Sequence, residues 1–328
     1  MRSAFAVLAI TLSIGILPAQ TPLSGPVEGF TFDLPTRSLR GIIGMLGSAS
    51  LGPAVWSNLD YASVAPHKNY AIAFQDGRAL VISGLDSDRI SAATLPESVS
   101  GPEGIAWSGD GSLAVLFSRT ANWVQTISGL PAAPNVGSRL DVSSLGGALF
   151  VVASDLHGEH VAIAQVGDKS GVFQIAGDQT FLPLLSVSKP ISLAFSDNGG
   201  MLYVLDGASK QLSEVNMADL TTQAWAVPEL EDPIAVRVAR DTAQRQVIYL
   251  AGRSDRSLFA YDLSSHEVVA GVSLTFQPTG IEPLGNGSYL LRPRSNMDDP
   301  LWSFRNSAPP MVYFVPATPL VLGEDSSK

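Results

Sequence analysis

The chain has 328 residues, 45% of them hydrophobic and only 15% charged, which supplies enough apolar material for a sizeable core and excludes a disordered, solvating chain. Thirty acidic residues against twenty basic ones give a formal charge of −10, so phosphate backbones and anionic lipid surfaces repel the molecule as a whole, and no nucleic acid partner is expected. The absence of cysteine excludes disulfides, thiolate metal sites and thiol nucleophiles and leaves the fold to packing alone.

Residues 1–20 carry one charge, Arg2, followed by an apolar run over residues 4–17 and then Pro18-Ala19-Gln20. A run of about 14 residues is short of the roughly 20 that span a bilayer as a helix, so the segment reads as a cleavable signal peptide and not as an anchor. Cleavage after Ala19 or Gln20 removes Arg2 and brings the charge to −11. The product is expected in the periplasm or secreted, with no membrane insertion after cleavage.

Beyond the signal, apolar stretches that end in a small polar turn recur, each followed by a second β-rich run. The clearest are Ile105-Ala106-Trp107-Ser108, Val151-Val152-Ala153-Ser154 and Leu193-Ala194-Phe195-Ser196. Fainter copies end at Pro66, Ala239 and Leu284, so the anchors 66, 108, 154, 196, 239 and 284 are spaced by 42, 46, 42, 43 and 45 residues. A second register agrees, because Ile82-Ser83-Gly84-Leu85 returns as Ile127-Ser128-Gly129-Leu130 at a distance of 45. One period parses into four short strands over residues 191–196, 202–206, 211–216 and 222–227, the content of a propeller blade. A helical solenoid would need apolar spacing of three and four over ten or more residues, and 22 prolines with 30 glycines interrupt any such window.

Counting inner hairpins predicts an all-β propeller of four-stranded blades, six preferred and seven the alternative. Phe30-Thr31-Phe32-Asp33-Leu34 resembles Phe259-Ala260-Tyr261-Asp262-Leu263, the third strand of the fifth repeat, and is surplus to six. The N-terminal hairpin, residues 30–43, is therefore expected to latch the ring by pairing with residues 311–315. Residues 21–317 form one propeller domain on this reading, and residues 318–328 a flexible tail.

Phe195-Ser196-Asp197-Asn198-Gly199-Gly200-Met201-Leu202-Tyr203-Val204 resembles the S-P-D-G-x-x-L-Y-V signature of bacterial YVTN-type, TolB-like and related propellers. Trp107-Ser108-Gly109-Asp110-Gly111-Ser112-Leu113-Ala114-Val115 is a looser copy, and both lack the usual proline, with Asp197 and Gly109 in its place. The resemblance implies a fold and a bacterial, exported setting. It leaves activity open, since such propellers include binding scaffolds and lactonases.

Asp155-Leu156-His157-Gly158-Glu159-His160 has a His-x-x-His spacing that can chelate a divalent metal. Aligning Ser154-Asp155 with Ser196-Asp197 puts it in an exposed turn, so no metal is assigned and His157 and His160 stay weak candidates. His67 and His266 fall in other turns. No Gly-x-Ser-x-Gly elbow is present, Asp86-Ser87-Asp88 and Asp298-Asp299 lack the pattern of a calcium loop, and Asn286-Gly287-Ser288 reads as a turn; no cofactor is implied.

The connections between second and third strands carry charge: Asp76 and Arg78, Arg119, Asp168 and Lys169, Asp206 and Lys210, Arg253 with Asp255 and Arg256, then Arg292, Arg294, Asp298 and Asp299. In a propeller these loops share one face. Arg253, Arg256, Arg292 and Arg294 are the candidate ligand-binding residues, with Arg292-Pro293-Arg294 able to project two guanidinium groups to one side. The leading reading is a non-catalytic scaffold that binds a protein, peptide or glycan through that face. The alternative is a lactonase- or lyase-like enzyme at the axial mouth, where Asp60, Glu103, Asp155, Arg237 and Glu282 stand near inner-strand ends.

Overall fold

The computed structural model describes residues 25–66, 69–95, 101–167, 170–177, 179–240, 243–285, 287–307 and 309–316. The expected signal peptide, the expected tail over 318–328, and His67, Asp168, Lys169 and Asn286 lie outside them. Among the described residues no helix is long and apolar enough to cross a membrane.

Among the described residues, twenty-seven strands form seven antiparallel sheets, each built from strands consecutive in sequence. Blade 1 holds β1 (Val27–Asp33), β2 (Ser38–Ile43) and β3 (Ser50–Trp56). Blade 2 holds β4 (Tyr61–Val64), β5 (Tyr70–Gln75), β6 (Arg78–Ser83) and β7 (Ser91–Thr94), and blade 3 holds β8 (Gly104–Trp107), β9 (Ala114–Ser118), β10 (Trp123–Ser128) and β11 (Asn135–Asp141). Blade 4 runs through β12 (Ala148–Ser154), β13 (Val161–Val166), β14 (Gly171–Ile175) and β15 (Phe181–Ser186), and blade 5 through β16 (Pro190–Phe195), β17 (Met201–Asp206), β18 (Gln211–Asn216) and β19 (Thr222–Ala226). Blade 6 comprises β20 (Pro233–Arg240), β21 (Gln246–Gly252), β22 (Ser257–Asp262) and β23 (Val268–Ser273), and blade 7 β24 (Glu282–Gly285), β25 (Ser288–Arg292), β26 (Leu301–Arg305) and β27 (Met311–Val315).

The second strands are continuous apolar runs because neighbouring blades cover both of their faces. All five residues of β9 and five of six in β5 and in β17 are buried, whereas the outer strand β7 is exposed throughout. Seven clusters of buried side chains result, one between each pair of adjacent blades. The cluster joining blade 7 to blade 1 is wholly aliphatic: Ile42, Ala49 and Leu51 meet Leu284, Leu290, Leu301 and Val315. The ring is therefore closed.

Seven blades, not the preferred six, is a correction with a clear cause. The six anchors do mark inner strands β4, β8, β12, β16, β20 and β24 or the turns after them, so counting inner strands gives six. Blade 1 escapes that count because its described strands are the second, third and fourth. The turn between β1 and β2, residues 34–37, ends in Arg37 with φ 49, as the four-residue turns after β9, β17 and β21 end in Asn122, Lys210 and Arg256 with φ 49, 53 and 49. In each, the carbonyl of that left-handed residue accepts the N–H of a buried apolar residue following the outer strand: Leu59, Val142, Val227 and Leu274 respectively. Thr36 Oγ1 donates to Asp33 at 2.6 Å just as Ser209 Oγ donates to Asp206 at 2.9 Å. Phe30 thus stands in a second strand, not a third. The expected latch is also absent, since β1 pairs with β2 while β27 pairs with β26.

Polar contacts reinforce the seam. On the upper face, where inner strands begin, Arg294 reaches from the β25–β26 loop to Asp33 at 3.2 Å, with side chains only 3% and 1% exposed. On the lower face Ser288 Oγ and an Arg305 Nη donate to Glu28 at 2.7 and 2.8 Å. Removing Arg294 takes away the buried donors to Asp33 but leaves it Arg40 at 3.3 Å and the Thr36 hydroxyl at 2.6 Å. Arg294→Ala is expected to cost about 1.5–3 kcal/mol in chemical unfolding, and a loss below about 1 kcal/mol would show that the pair does not secure the seam.

Candidate functional site

The lower turns are built by the signature residues. Ser108 Oγ accepts the Leu113 N–H at 2.9 Å and donates to Asp110, which also accepts the Ser112 N–H. Ser196 and Asn198 repeat this, with Met201 N–H donating to Ser196 Oγ at 3.0 Å and Gly200 N–H to Asn198. Gly111 and Gly199, at φ 75 and 71, supply the left-handed step that other residues rarely take.

The histidine turn fits one residue later than the sequence alignment suggests. Asp155 N–H donates to the His160 carbonyl as Ser108 and Ser196 N–H donate to those of Leu113 and Met201, so His157 stands where Asp110 and Asn198 stand. The bulge between Leu149 and Val151 in β12 has its counterpart between Pro190 and Ser192 in β16, so the two inner strands share it and the offset arises beyond it. His157 Nδ1 lies 3.3 Å from Asp110 while His160 Nδ1 lies 2.8 Å from Gln174 Nε2, so the two rings have separate partners. Gly109 and Asp110 N–H donate to the carbonyls of Asp155 and Leu156, and Arg240 Nε reaches Asp197 at 2.9 Å, which ties turns of adjacent blades together. His266 sits in the β22–β23 turn, stacked on Trp225 at 4.0 Å. Among the described residues no three histidine, aspartate or glutamate side chains gather to hold a metal ion.

The upper face carries the second-to-third-strand turns and the mouth of the axis. Burial alone would raise the Asp206 carboxyl, but hydrogen bonds from Ala208, Ser209, Lys189 and Ser188 outweigh it and hold the group below the ordinary carboxylate range, which fixes the blade 5 turn. Several arginines here are committed internally. Arg37 pairs with Asp60, and Arg119 Nε donates to the Phe150 carbonyl at 2.8 Å with its guanidinium 5.7 and 5.6 Å from the rings of Phe117 and Phe150. Arg294 is buried, with Nε on the Asp299 carbonyl and Nη2 on that of Met297, so its donors face inward and not toward a surface ligand. Arg292, one-third exposed, lies 4.0 Å from Asp299.

Arg253 and Arg256 differ. Both are exposed in the blade 6 turn, and no side-chain hydrogen bond or ion pair ties either to the described residues. Their turn is fixed around them: Arg253 N–H donates to the Asp232 carbonyl, Ser254 Oγ to the Asp232 carboxylate, and Ser257 Oγ to Asp255 at 2.5 Å. Lys210 occupies in blade 5 the left-handed position Arg256 has in blade 6, so two cations stand at equivalent places on adjacent blades. The 46-residue offset between them was the signal for pairing Lys210 with the arginines.

The five charged residues near inner-strand ends do not assemble. Asp60, Glu103 and Glu282 are at the upper ends, Asp155 follows the lower end of β12, and Arg237 lies within β20. Asp60 is paired with Arg37, and Glu103 accepts from Ser118 Oγ and Thr120 N–H at 2.9 Å each. Asp155 is buried with Oδ1 lacking a hydrogen-bond partner. At the axial mouth, burial pushes the Tyr61 hydroxyl up, with Glu282 adding to the shift and Arg119 opposing it, and desolvation raises the Glu282 carboxyl. Phe32 meets the Tyr61 ring edge-on at 6.1 Å. A separate groove of about 310 Å³ on blade 2 is lined by Gln75, Asp76, Arg78, Leu80 and Thr94.

No protein-family model matches the sequence, and no curated protein matches it. Solved structures do. A chain of a nidogen/laminin complex is 13% identical, with 77% of this chain and 96% of that one covered and a TM-score of 0.52. A streptogramin B lyase is 11% identical over 78% of this chain and 85% of its own, with a TM-score of 0.54. A chain of a mitotic checkpoint complex is 14% identical over 97% and 90%, also at 0.54. At these identities the likeness shows the propeller fold, which serves binding proteins and a lyase alike.

Asp110 offers a pH test of the lower turns. Burial raises its carboxyl, but hydrogen bonds from Ser112, Ser108 and His157 prevail and hold it down at about 2. A depressed folded value stabilises the protein above the unfolded value near 3.8 and ceases to do so as pH falls through about 2. Asn198 serves the same turn in blade 5, so Asp110→Asn is expected to fold but to be less stable than wild type at neutral pH, with the gap closing between about pH 4 and pH 2. A gap independent of pH in chemical melts would contradict this origin.

Proposed function

We propose that the chain is an exported, non-catalytic propeller that binds a carboxylate-bearing protein, peptide or glycan through its upper face. The observation that carries the reading is the pair of exposed arginines, Arg253 and Arg256, on a turn whose backbone is already fixed, with Lys210 at the matching place on the next blade. A guanidinium grips a carboxylate with two parallel hydrogen bonds, and a turn held in place beforehand loses little freedom on binding. Most other arginines on that face spend their donors inside the protein. The lower turns favour the same choice of face, because their polar groups bond to one another across blades. Export rests on the apolar N-terminal run, and the protein-binding class is supported by the likeness to chains from two protein complexes.

Crosslinking and mass spectrometry in the native envelope is the route to the partner. Each exposed arginine contributes about 1 kcal/mol, so Arg253→Ala with Arg256→Ala is expected to weaken the identified complex about tenfold to thirtyfold and flatten its salt dependence. His157→Ala with His160→Ala is expected to leave it unchanged. Unaltered affinity in the arginine pair with a loss in the histidine pair would assign the lower face instead.

A second reading, a lyase- or lactonase-like enzyme, is favoured by one feature: Glu282, raised by desolvation, beside Tyr61 and Arg119 at the axial mouth. A carboxyl group with a raised pKa can act as a general acid, and the exposed Glu282 side chain is open to a substrate. Stoichiometric, tightly held metal in purified protein, or a hydrolytic or eliminating activity lost in Glu282→Gln, would favour this reading over the scaffold.

A further inference from the structure

Every blade ends in an outer strand with one edge open, and such an edge pairs with other chains unless something blunts it. Among the described residues six of the seven outer strands are blunted. Pro53 interrupts β3 and Pro183 interrupts β15, while β7 has only four small residues. Arg139 and Asp141 charge β11, and Val269 bulges out of the β23 ladder. Strand β19 runs regularly but carries polar Thr222 and Gln223, and its single large side chain, Trp225, is already stacked on His266. Strand β27 has none of these devices. Its five residues, Met311-Val312-Tyr313-Phe314-Val315, pair with β26 without a break and include no charge, proline or glycine. Met311 and Phe314 are 48% and 57% exposed. The Trp302 ring lies 6.0 Å from that of Phe314, and Phe276 stacks on Trp302 at 4.3 Å, so Phe314 stands on a firm base. On the other face of the sheet, the turn between β2 and β3 meets Tyr313 at Gly47 and carries Met45, 69% exposed. No strand among the described residues covers the outer edge of β27.

We propose that this edge joins two copies of the chain, with β27 of each running antiparallel to the other about a twofold axis at Tyr313. A twofold contact needs a surface that complements itself. Strand β27 meets that condition. Centred on Tyr313, Met311 stands opposite Val315 of the second copy and Val312 opposite its Phe314, so every pair is apolar and the open backbone edges gain partners. Charge favours this occupant over an acidic or basic segment. Arg305, the one charged residue that β26 places opposite β27, is already bonded to Glu28, and none of the chain's −10 charge lies on β27 itself. The area sets the strength. At about 200 Å² for a large side chain, Met45, Met311 and Phe314 expose roughly 350 Å² per copy, to which the strand edges add. That is the low end of specific interfaces, so the dimer is weak and reversible. Each copy has one such edge, so pairing uses up both and assembly stops at two. The inference does not depend on which face of the ring binds a ligand.

Sedimentation equilibrium of the isolated protein tests it. Between about 1 and 100 μM the mass is expected to rise from one chain to two and no further, as a micromolar dissociation constant requires. Added salt is expected to tighten the dimer, because it screens the repulsion between two acidic copies. Met311→Lys with Phe314→Lys, both at exposed positions, is expected to weaken association at least a hundredfold. Val268→Lys with Val269→Lys, on the outer strand of blade 6, is expected to leave it unchanged. A single-chain mass at 100 μM in the wild type, or a dimer that survives Met311→Lys with Phe314→Lys, would overturn the proposal. Should that double variant not fold, crosslinking decides, because the chain has no cysteine of its own. Oxidised Tyr313→Cys is expected to give a disulfide-linked dimer, since residue 313 meets its own copy at the axis, while Val268→Cys stays monomeric. Monomers from Tyr313→Cys, or equal linkage from both variants, would overturn it equally.

Discussion

A ring of blades depends on the one interface where the ends of the chain must meet. Six interfaces join blades that follow one another in sequence, and the seventh joins residues more than 250 positions apart. Its apolar cluster contains no aromatic residue, unlike the Tyr249, Tyr289 and Phe304 group between blades 6 and 7. Polar bonds make up part of the difference: Asp33 with Arg294 at the upper end and Glu28 with Ser288 and Arg305 at the lower. Gly29 belongs to the same fit, since an added Cβ would stand 2.4 Å from the Leu284 carbonyl oxygen. Bringing the ends of so long a chain together costs conformational entropy that neighbouring blades do not pay.

The closed ring divides labour between its faces. Lower turns bond sideways to one another, through Gly109 and Asp110 to blade 4 and through Asp197 to Arg240, and so act as a hoop. The upper turns of blades 1, 3, 5 and 6 bond inward, their left-handed residues Arg37, Asn122, Lys210 and Arg256 each receiving an N–H from the connection that leaves the same blade. That arrangement fixes the backbone of the turn while Arg256 stays exposed and Lys210 partly exposed, which is what the proposed recognition surface requires of a rigid support.

Much of this architecture was legible in the sequence, and the failures have local physical reasons. The repeated Ser-x-Asp/Asn-Gly turns and the literal Ile-Ser-Gly-Leu repeat mark hydrogen-bonded turns and the ends of third strands β6 and β10, so periodicity located them. Blade 1 was missed because an inner strand does not precede β1 within the described chain, and an inner-strand count is blind to such a blade. His157 was placed one residue off because Ser154 resembles Ser196 in residue type, whereas it is the backbone N–H of Asp155 that closes the turn on the His160 carbonyl. Arg294 and Arg253 look alike in sequence, each in an upper-face loop. Only the position of Asp33, 261 residues from Arg294, makes one a buried link and leaves the other exposed.

Native-state hydrogen exchange at low denaturant tests the seven-bladed ring closed through blade 1 most directly, since it reports the opening free energy of each blade separately. A ring closed at that seam predicts that residues 27–56 open with the same free energy as residues 201–216 in blade 5 and with the same denaturant dependence. Exchange of residues 27–56 through a separate, less costly opening while blades 2 to 7 stay protected would contradict it.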